Sequence, residues 1–217
     1  MNRTLSRYPV PIIGIAGWKK SGKTTLTTRL VGRSTRRGWG AGAVGPGPRA
    51  FRPGAGGRDG PRHRRAGARQ VAIVSGARWA IVTELDGAPE PNFEEIVAAL
   101  EPADLVIVEG YKSAPIPKIE ARREASWTKR SLAAEDPRVI AIAADHEVSG
   151  ESVPVYALDD IDGLVALIDA IVGPLDGRVA RVVAEAARAK ACDEEDATRA
   201  TDAGLTGDDD PFASPER

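Results

Sequence analysis

Short runs of nearly unbroken apolarity recur along the chain, separated by stretches in which apolar residues return every three or four positions. The runs are PIIGIAG, QVAIVSG, RWAIVTEL, DLVIVEGY, VIAIAAD and VPVYALD. Rich in Val and Ile, they read as strands buried on both faces of a sheet. Helical periodicity fills several gaps: Lys23 to about Arg37, about Asn92 to Leu100, and Asp160 to Val172. This alternation predicts an α/β domain with a mainly parallel sheet. QVAIVSG and RWAIVTEL lie too close together for a helix between them. Ser75-Gly76-Ala77 therefore reads as a tight turn, and the pair as an antiparallel hairpin at a sheet edge.

Two segments break the pattern. Residues 45–65 hold too much Gly, Pro and Arg for a packed element and are expected to form a long exposed loop. After Pro174 the stretch GRVARVVAEAARAKA has helical period, and the acidic remainder has the composition of a disordered tail. The expected organisation is one domain over residues 10–172, followed by a helix and tail over 173–217.

The 217 residues are enough for one good core plus an appendage. A net charge of −1 gives no global attraction to nucleic acid or to an anionic membrane. The charges are unevenly spread, however. Between Arg33 and Arg69 many arginines face a single acid, Asp59, whereas Asp and Glu dominate from Asp193 onward. Such segments are either solvated or able to attract each other or separate partners. The basic stretch has only Trp39 and Phe51 nearby for base stacking, which argues against a nucleic-acid module. Cys192 is the sole cysteine, so no intramolecular disulfide can form, and a reducing cytoplasm is the expected location. No stretch approaches the roughly 18 apolar residues of a membrane span.

Gly17-Trp18-Lys19-Lys20-Ser21-Gly22-Lys23-Thr24 matches the GxxxxGK[ST] pattern of phosphate-binding loops, and it stands between a strand and an amphipathic helix as the mechanism requires. Gly17 and Gly22 permit backbone angles that turn successive N–H groups toward phosphate oxygens. The start of the helix adds its positive dipole end. Lys23 brings an ammonium to the β and γ phosphates, and Thr24 a hydroxyl to Mg²⁺. Lys19 and Lys20 either add phosphate contacts or stay solvated. An acid at the end of a neighbouring strand completes such a site. Glu109, closing DLVIVE, is the candidate for holding the magnesium shell or orienting water; Glu84 is a weaker one. The fold implied is a P-loop three-layer sandwich.

The segments GIAGWKKSGKTTL, RHRRAGARQVAIVSGARWAIVTEL, DLVIVEGYK, PKIE and VIAIAAD, in this order and spacing, resemble the MobB family of molybdopterin-guanine dinucleotide biosynthesis adaptors over roughly residues 10–172. The resemblance implies a homodimer that binds GTP with Mg²⁺ and hydrolyses it feebly. It also implies a partner, the nucleotidyltransferase that joins GMP to molybdopterin. Carried over by position, Gly17 to Thr25 form the phosphate loop, with Lys23 and Glu109 acting on the phosphates. Lys112, Lys118 and Glu120 fall where the family's site and partner surface meet. Asp145 lies where the base is often read, although the NKxD signature of guanine recognition is absent and a strand-ending Asp can be a simple cap. Arg62, His63 and Arg64 match an RHR that precedes a helix.

One stretch departs from the family. Where relatives carry a Lys-His segment rich in His and Asp, then a Gly-Lys-Asp-Ser turn, this chain reads AVGPGPRAFRPGAGGRDG. Two compensating frame shifts in a GC-rich gene would preserve length in this way. The other reading is a real basic loop that draws in phosphates or an acidic partner. Either way, catalytic competence is reduced in expectation. Weak hydrolysis also follows from the lack of an obvious arginine finger or a water-orienting Gln, Gln70 being the visible one. A small-molecule kinase with an arginine-bearing lid is the competing enzyme reading.

Overall fold

The computed structural model describes residues 10–47 and 59–173, with isolated positions at 175, 177, 181 and 188. Six strands, β1 (Ile12–Ala16), β2 (Ala41–Val44), β5 (Leu105–Glu109), β6 (Lys118–Arg122), β7 (Val139–Ala144) and β8 (Val155–Ala157), form one sheet in the order β2-β5-β1-β6-β7-β8. Every neighbouring pair is parallel. The intervening elements are α1 (Lys23–Arg36), α2 (Asp59–Arg65), β3 (Gln70–Ser75), β4 (Arg78–Thr83), α3 (Phe93–Ala98) and α4 (Ile161–Val172).

Alternation along the central strands supplies both faces with apolar side chains. Ile13, Ile15, Leu105 and Ile107 pack with Leu26 and Leu30 of α1 and with Leu164, Val165 and Ile168 of α4. Ile12, Val106 and Val108 point the other way, against Phe93 and Val97 of α3 and against Ile116. The result is the three-layer sandwich expected. The short helix α3 is held by a reciprocal cap: the Asn92 side chain accepts from the Glu95 amide at 2.9 Å, and the Glu95 carboxylate accepts from the Asn92 amide at 2.8 Å.

Strand β6 lacks the unbroken apolarity of its neighbours: Lys118, Glu120 and Arg122 alternate with Ile119 and Ala121, a pattern that by itself belongs to a strand with its charged face in water. Lys118 and Glu120 are nonetheless wholly buried. The Lys118 ammonium donates to the carbonyls of Ala114 (2.6 Å) and Ile116 (3.1 Å) and to Asp136 Oδ2 (3.1 Å). Glu120 accepts from the amides of Leu132 (3.0 Å) and Ala133 (2.9 Å) and from the Arg122 guanidinium (2.8 Å). Arg122 also reaches Glu151 at 2.6 Å and Ser131 at 2.7 Å. Each buried charge is thus paired and hydrogen-bonded, the condition under which burial is tolerated. The four-residue β2, Ala-Gly-Ala-Val, has too few large apolar side chains to stand out in the sequence as a strand.

The hairpin forms with its tight turn, but not at the edge of the main sheet. β3 and β4 make a separate two-stranded sheet, in register Val74↔Trp79 and Ala72↔Ile81. Nor is it buried on both faces: Val74 is 76% exposed, Trp79 58% and Ile81 50%. The expected 45–65 loop is shortened as well. Residues 59–65 form α2, with Pro61 in the first turn, where its missing N–H costs nothing, and basic residues in the last, which suits the helix dipole. Arg62, His63 and Arg64 therefore lie inside a helix rather than before one. Arg64 pairs with Glu84 at 3.0 Å, anchoring α2 to the end of the hairpin. The expected C-terminal helix and acidic tail lie outside the described residues, apart from the isolated positions.

Burial alone would raise the Asp136 carboxyl pKa, but hydrogen bonds from Arg138 and from Lys118 outweigh it and hold the value from 3.8 down to about 2. Its contribution to stability is therefore complete above about pH 4 and lost as the pH falls through about 2, a contribution on the order of 2 kcal/mol. Asp136→Ala, which strips the carboxylate from the buried Lys118 ammonium, should cost about 3 kcal/mol in urea unfolding at neutral pH. The variant should also lose part of the native protein's acid sensitivity between pH 4 and pH 2.

Candidate functional site

Six residues, 17–22, join β1 to α1. A Cβ on Gly17 would stand 2.5 Å from both the Ala121 carbonyl oxygen and Ser21 Oγ, so only glycine fits. Gly22 is the N-cap of α1, left-handed at φ 89°, with no side chain capping the helix. The amides of the first turn are therefore left open to an anion. The loop wraps around the Trp18 carbonyl, which accepts from the Ser21 amide at 3.2 Å and from the Lys23 ammonium at 2.8 Å.

Glu109 ends β5 beside β1, where the two strands pair Ile15 with Glu109. Gly110 donates back to the Ile15 carbonyl at 3.0 Å, and Gly110 and Tyr111 both take positive φ, which turns the chain away and leaves the carboxylate at the strand end. There it accepts the Thr24 hydroxyl at 2.6 Å. The described residues contain no cluster of three or more His, Cys, Asp or Glu able to hold a metal ion. Thr24 and Glu109 are hard oxygen donors and suit Mg²⁺, which is commonly held by one or two protein oxygens together with phosphates and water.

Burial pushes the Lys23 ammonium below the usual lysine value, with Glu109 opposing the shift. Lys112 is lowered too, by burial first and then by the charge of Lys23. Its ammonium lies 3.4 Å from the centre of the Trp18 ring. Two crowded cations beside an open helix N-terminus favour an incoming anion.

A hollow of about 500 Å³ opens at the loop, lined by Lys20, Gly22, Lys23, Thr24, Thr25, Arg123 and Ala125. Five of the predicted loop residues thus share one space. Gly17 does not line this hollow, and the side chain of Ser21 is buried. The Trp18 indole is tied to the Arg130 carbonyl at 2.8 Å. The ammonium groups of Lys19 and Lys20 rest 4.8 and 4.7 Å from the ring of Trp127, a cation–π arrangement. A second, larger hollow of about 760 Å³ adjoins it and includes Asp145, Arg29, Arg123, Tyr156 and Asp159. Asp145 itself acts as a cap: its Oδ1 accepts from the Glu124 amide at 2.8 Å and meets His146 Nδ1 at 3.0 Å. A third, small cavity of about 150 Å³ includes Ser21, Arg122, Arg123 and Glu151 in its walls.

Other predicted residues fall elsewhere. Lys118 and Glu120 are buried in the sheet, so neither forms a partner surface. Glu84 serves Arg64, and Gln70 donates to Thr83 Oγ1 in the hairpin at 3.0 Å. Arg123, against Gly22, and Trp127, under Lys19 and Lys20, are not singled out by the sequence. Both follow β6, and the sequence RREASW has no pattern that separates the arginine bound to acids from the one facing the loop.

A parallel sheet carrying a glycine loop between its first strand and first helix, with an acid at the adjoining strand end, defines an α/β protein of the P-loop class. Residues 12–145 match the family described as Molybdopterin guanine dinucleotide synthesis protein B, MobB, and the chain belongs to that family. The Molybdopterin-guanine dinucleotide biosynthesis adapter protein of Escherichia coli (strain K12) is 29% identical over 161 residues, which cover 73% of this chain and 91% of that protein. The adapter protein of Haemophilus influenzae is 34% identical over 140 residues, 63% of this chain and 76% of the relative. Among solved structures, a MobB homologue from Bacillus stearothermophilus aligns with a TM-score of 0.55 at 25% identity, covering 75% of this chain and 97% of that one.

Anion binding should follow the charge of Lys23. Affinity for inorganic tripolyphosphate, measured by calorimetry, is expected to fall as alkaline pH removes the proton from Lys23 below the normal lysine range. Lys23→Met should bind weakly at every pH and show a flatter profile.

Proposed function

We propose that this protein is a GTP-binding adapter in molybdopterin-guanine dinucleotide biosynthesis, working with the nucleotidyltransferase that makes the dinucleotide. The observation that supports it best is the convergence of Lys23, Thr24 and Glu109 on a glycine loop whose helix amides are uncapped. In this reading Lys23 and the loop amides hold the phosphates of GTP. Thr24 and Glu109 hold Mg²⁺, which would neutralise phosphate charge. The hollow containing Asp145 takes the nucleoside. Hydrolysis is weak, because Gln70 belongs to the hairpin and no other glutamine is available to orient water. The kinase reading needs arginines that close over the phosphates; Arg64, in the described part of that segment, is committed to Glu84 instead. No described helix is long and apolar enough to cross a membrane, and a cytoplasmic location fits the single cysteine.

Calorimetry with GTP, ATP and GMP, with and without Mg²⁺, tests the nucleotide reading. GTP should bind in a Mg²⁺-dependent manner, and Lys23→Ala should lose most of that affinity; equal affinity for all three ligands would refute base selection.

The adapter is proposed to act as a homodimer joined through the hairpin. Val74, Trp79 and Ile81 are exposed on this two-stranded sheet, an apolar surface suited to a second copy. Sedimentation velocity of the full chain should show a dimer, and Trp79→Glu should shift it to monomer. A monomeric native chain would remove this part of the proposal.

A further inference from the structure

Between Lys118 and Arg138 nearly every cation has an acid. Lys118 and Arg138 share Asp136, Arg122 holds Glu120 and Glu151, Lys129 pairs with Glu124, and Arg130 with Glu135. Arg123 is the exception: among the described residues it makes no ion pair, and its Nε, like that of Arg122, is buried without a hydrogen-bond partner. Its guanidinium lies against the phosphate loop, so close that a Cβ on Gly22 would come within 2.8 Å of Nε. That position is beside the positive end of α1 and lines the same hollow as Lys23. An unpaired cation held next to a helix N-terminus and a lysine is unfavourable until an anion arrives.

Arg123 is also the residue common to the phosphate hollow, the Asp145 hollow and the small cavity behind the loop. The side chain therefore stands where the phosphate chain of a nucleotide would meet its nucleoside. Thr24 and Glu109 mark the metal-binding part of the site instead. We infer that Arg123 is a nucleotide-binding residue that grips the inner phosphate of a nucleoside di- or triphosphate, and that it is not a finger for the terminal phosphate. The inference rests on the nucleotide reading proposed above and adds a residue to it. A guanidinium suits this task, since its fork can bond two phosphate oxygens at once.

Two measurements on Arg123→Ala and Arg123→Lys decide it. In calorimetry with Mg²⁺, Arg123→Ala should weaken GDP and GTP alike by about 10–100-fold, the loss expected for a charged hydrogen bond, and Arg123→Lys should recover part of it. In thermal unfolding, Arg123→Ala without nucleotide should melt no lower than the native chain, because no protein partner is lost, while the upward shift on adding GDP should shrink. A lower melting point without nucleotide together with unchanged GDP affinity would make Arg123 a structural residue and overturn the inference. Unchanged affinity with slower GTP turnover would make it a finger and overturn it equally. If Lys23→Ala loses GTP binding and Arg123→Ala does not, the inference falls while the nucleotide reading stands; if the native chain binds no nucleotide, both fall.

Discussion

The pairing of charges inside β6 is the constraint on which the rest depends. This strand lies next to β1, the strand that launches the glycine loop, and it carries Lys118 and Glu120 into a space that water does not reach. Unpaired, either charge would cost several kcal/mol. Lys118 is met by two carbonyls and Asp136, and Glu120 by two amides and Arg122, so the strand is held in the register that sets Ile119 beside Ile15 of β1 and, past a shift after Lys118, beside Ala141 of β7. That register sets the floor of the loop, where the Ala121 carbonyl sits so close to Gly17 that a side chain there is excluded. It also places Arg123, the next residue after the strand, against Gly22.

Above this neutralised floor the electrostatics reverse. Lys20, Lys23, Arg123 and the open end of α1 gather positive charge around one hollow, Lys112 adds its charge from beside Trp18, and Glu109 is the acid that Thr24 engages. Burial depresses Lys23 and Lys112 because the charged form is poorly solvated there. In the proposed reading, a phosphate chain supplies counter-charge to these cations, and Glu109 and Thr24 would hold the divalent ion that accompanies it. The sheet thus buries matched charges beneath the loop, whereas the hollow above it is lined by Lys20, Lys23 and Arg123.

The hairpin stands outside this arrangement. Its hydrogen bonds are internal to β3 and β4, and Arg64 with Glu84 fastens it to α2. Its apolar residues read as interior because a hydrophobic run carries no record of what covers it. In an assembly formed through this surface, a run that looks like core in the sequence would be core between chains.

Much of this fold is legible in the sequence alone. The near-continuous apolarity of β1, β5 and β7 and the 3.6-residue period of α1 and α4 are local properties, and they determined a mainly parallel α/β sandwich. The GxxxxGK[ST] spacing determined where a glycine loop falls between β1 and α1, because the backbone there needs glycine at Gly17 and Gly22 for reasons that are largely local. Tertiary structure decided the rest. Whether Lys118, Glu120 and Arg122 form a buried strand depends on Asp136, Glu151 and the amides of Leu132 and Ala133, all remote from any local pattern. Whether Arg122 or Arg123 faces the site depends on which side of β6 holds those acids. Local periodicity records which side chains avoid water, but a buried charge is stabilised by partners that only folding brings within reach, and so the paired and unpaired arginines look alike until the chain is folded.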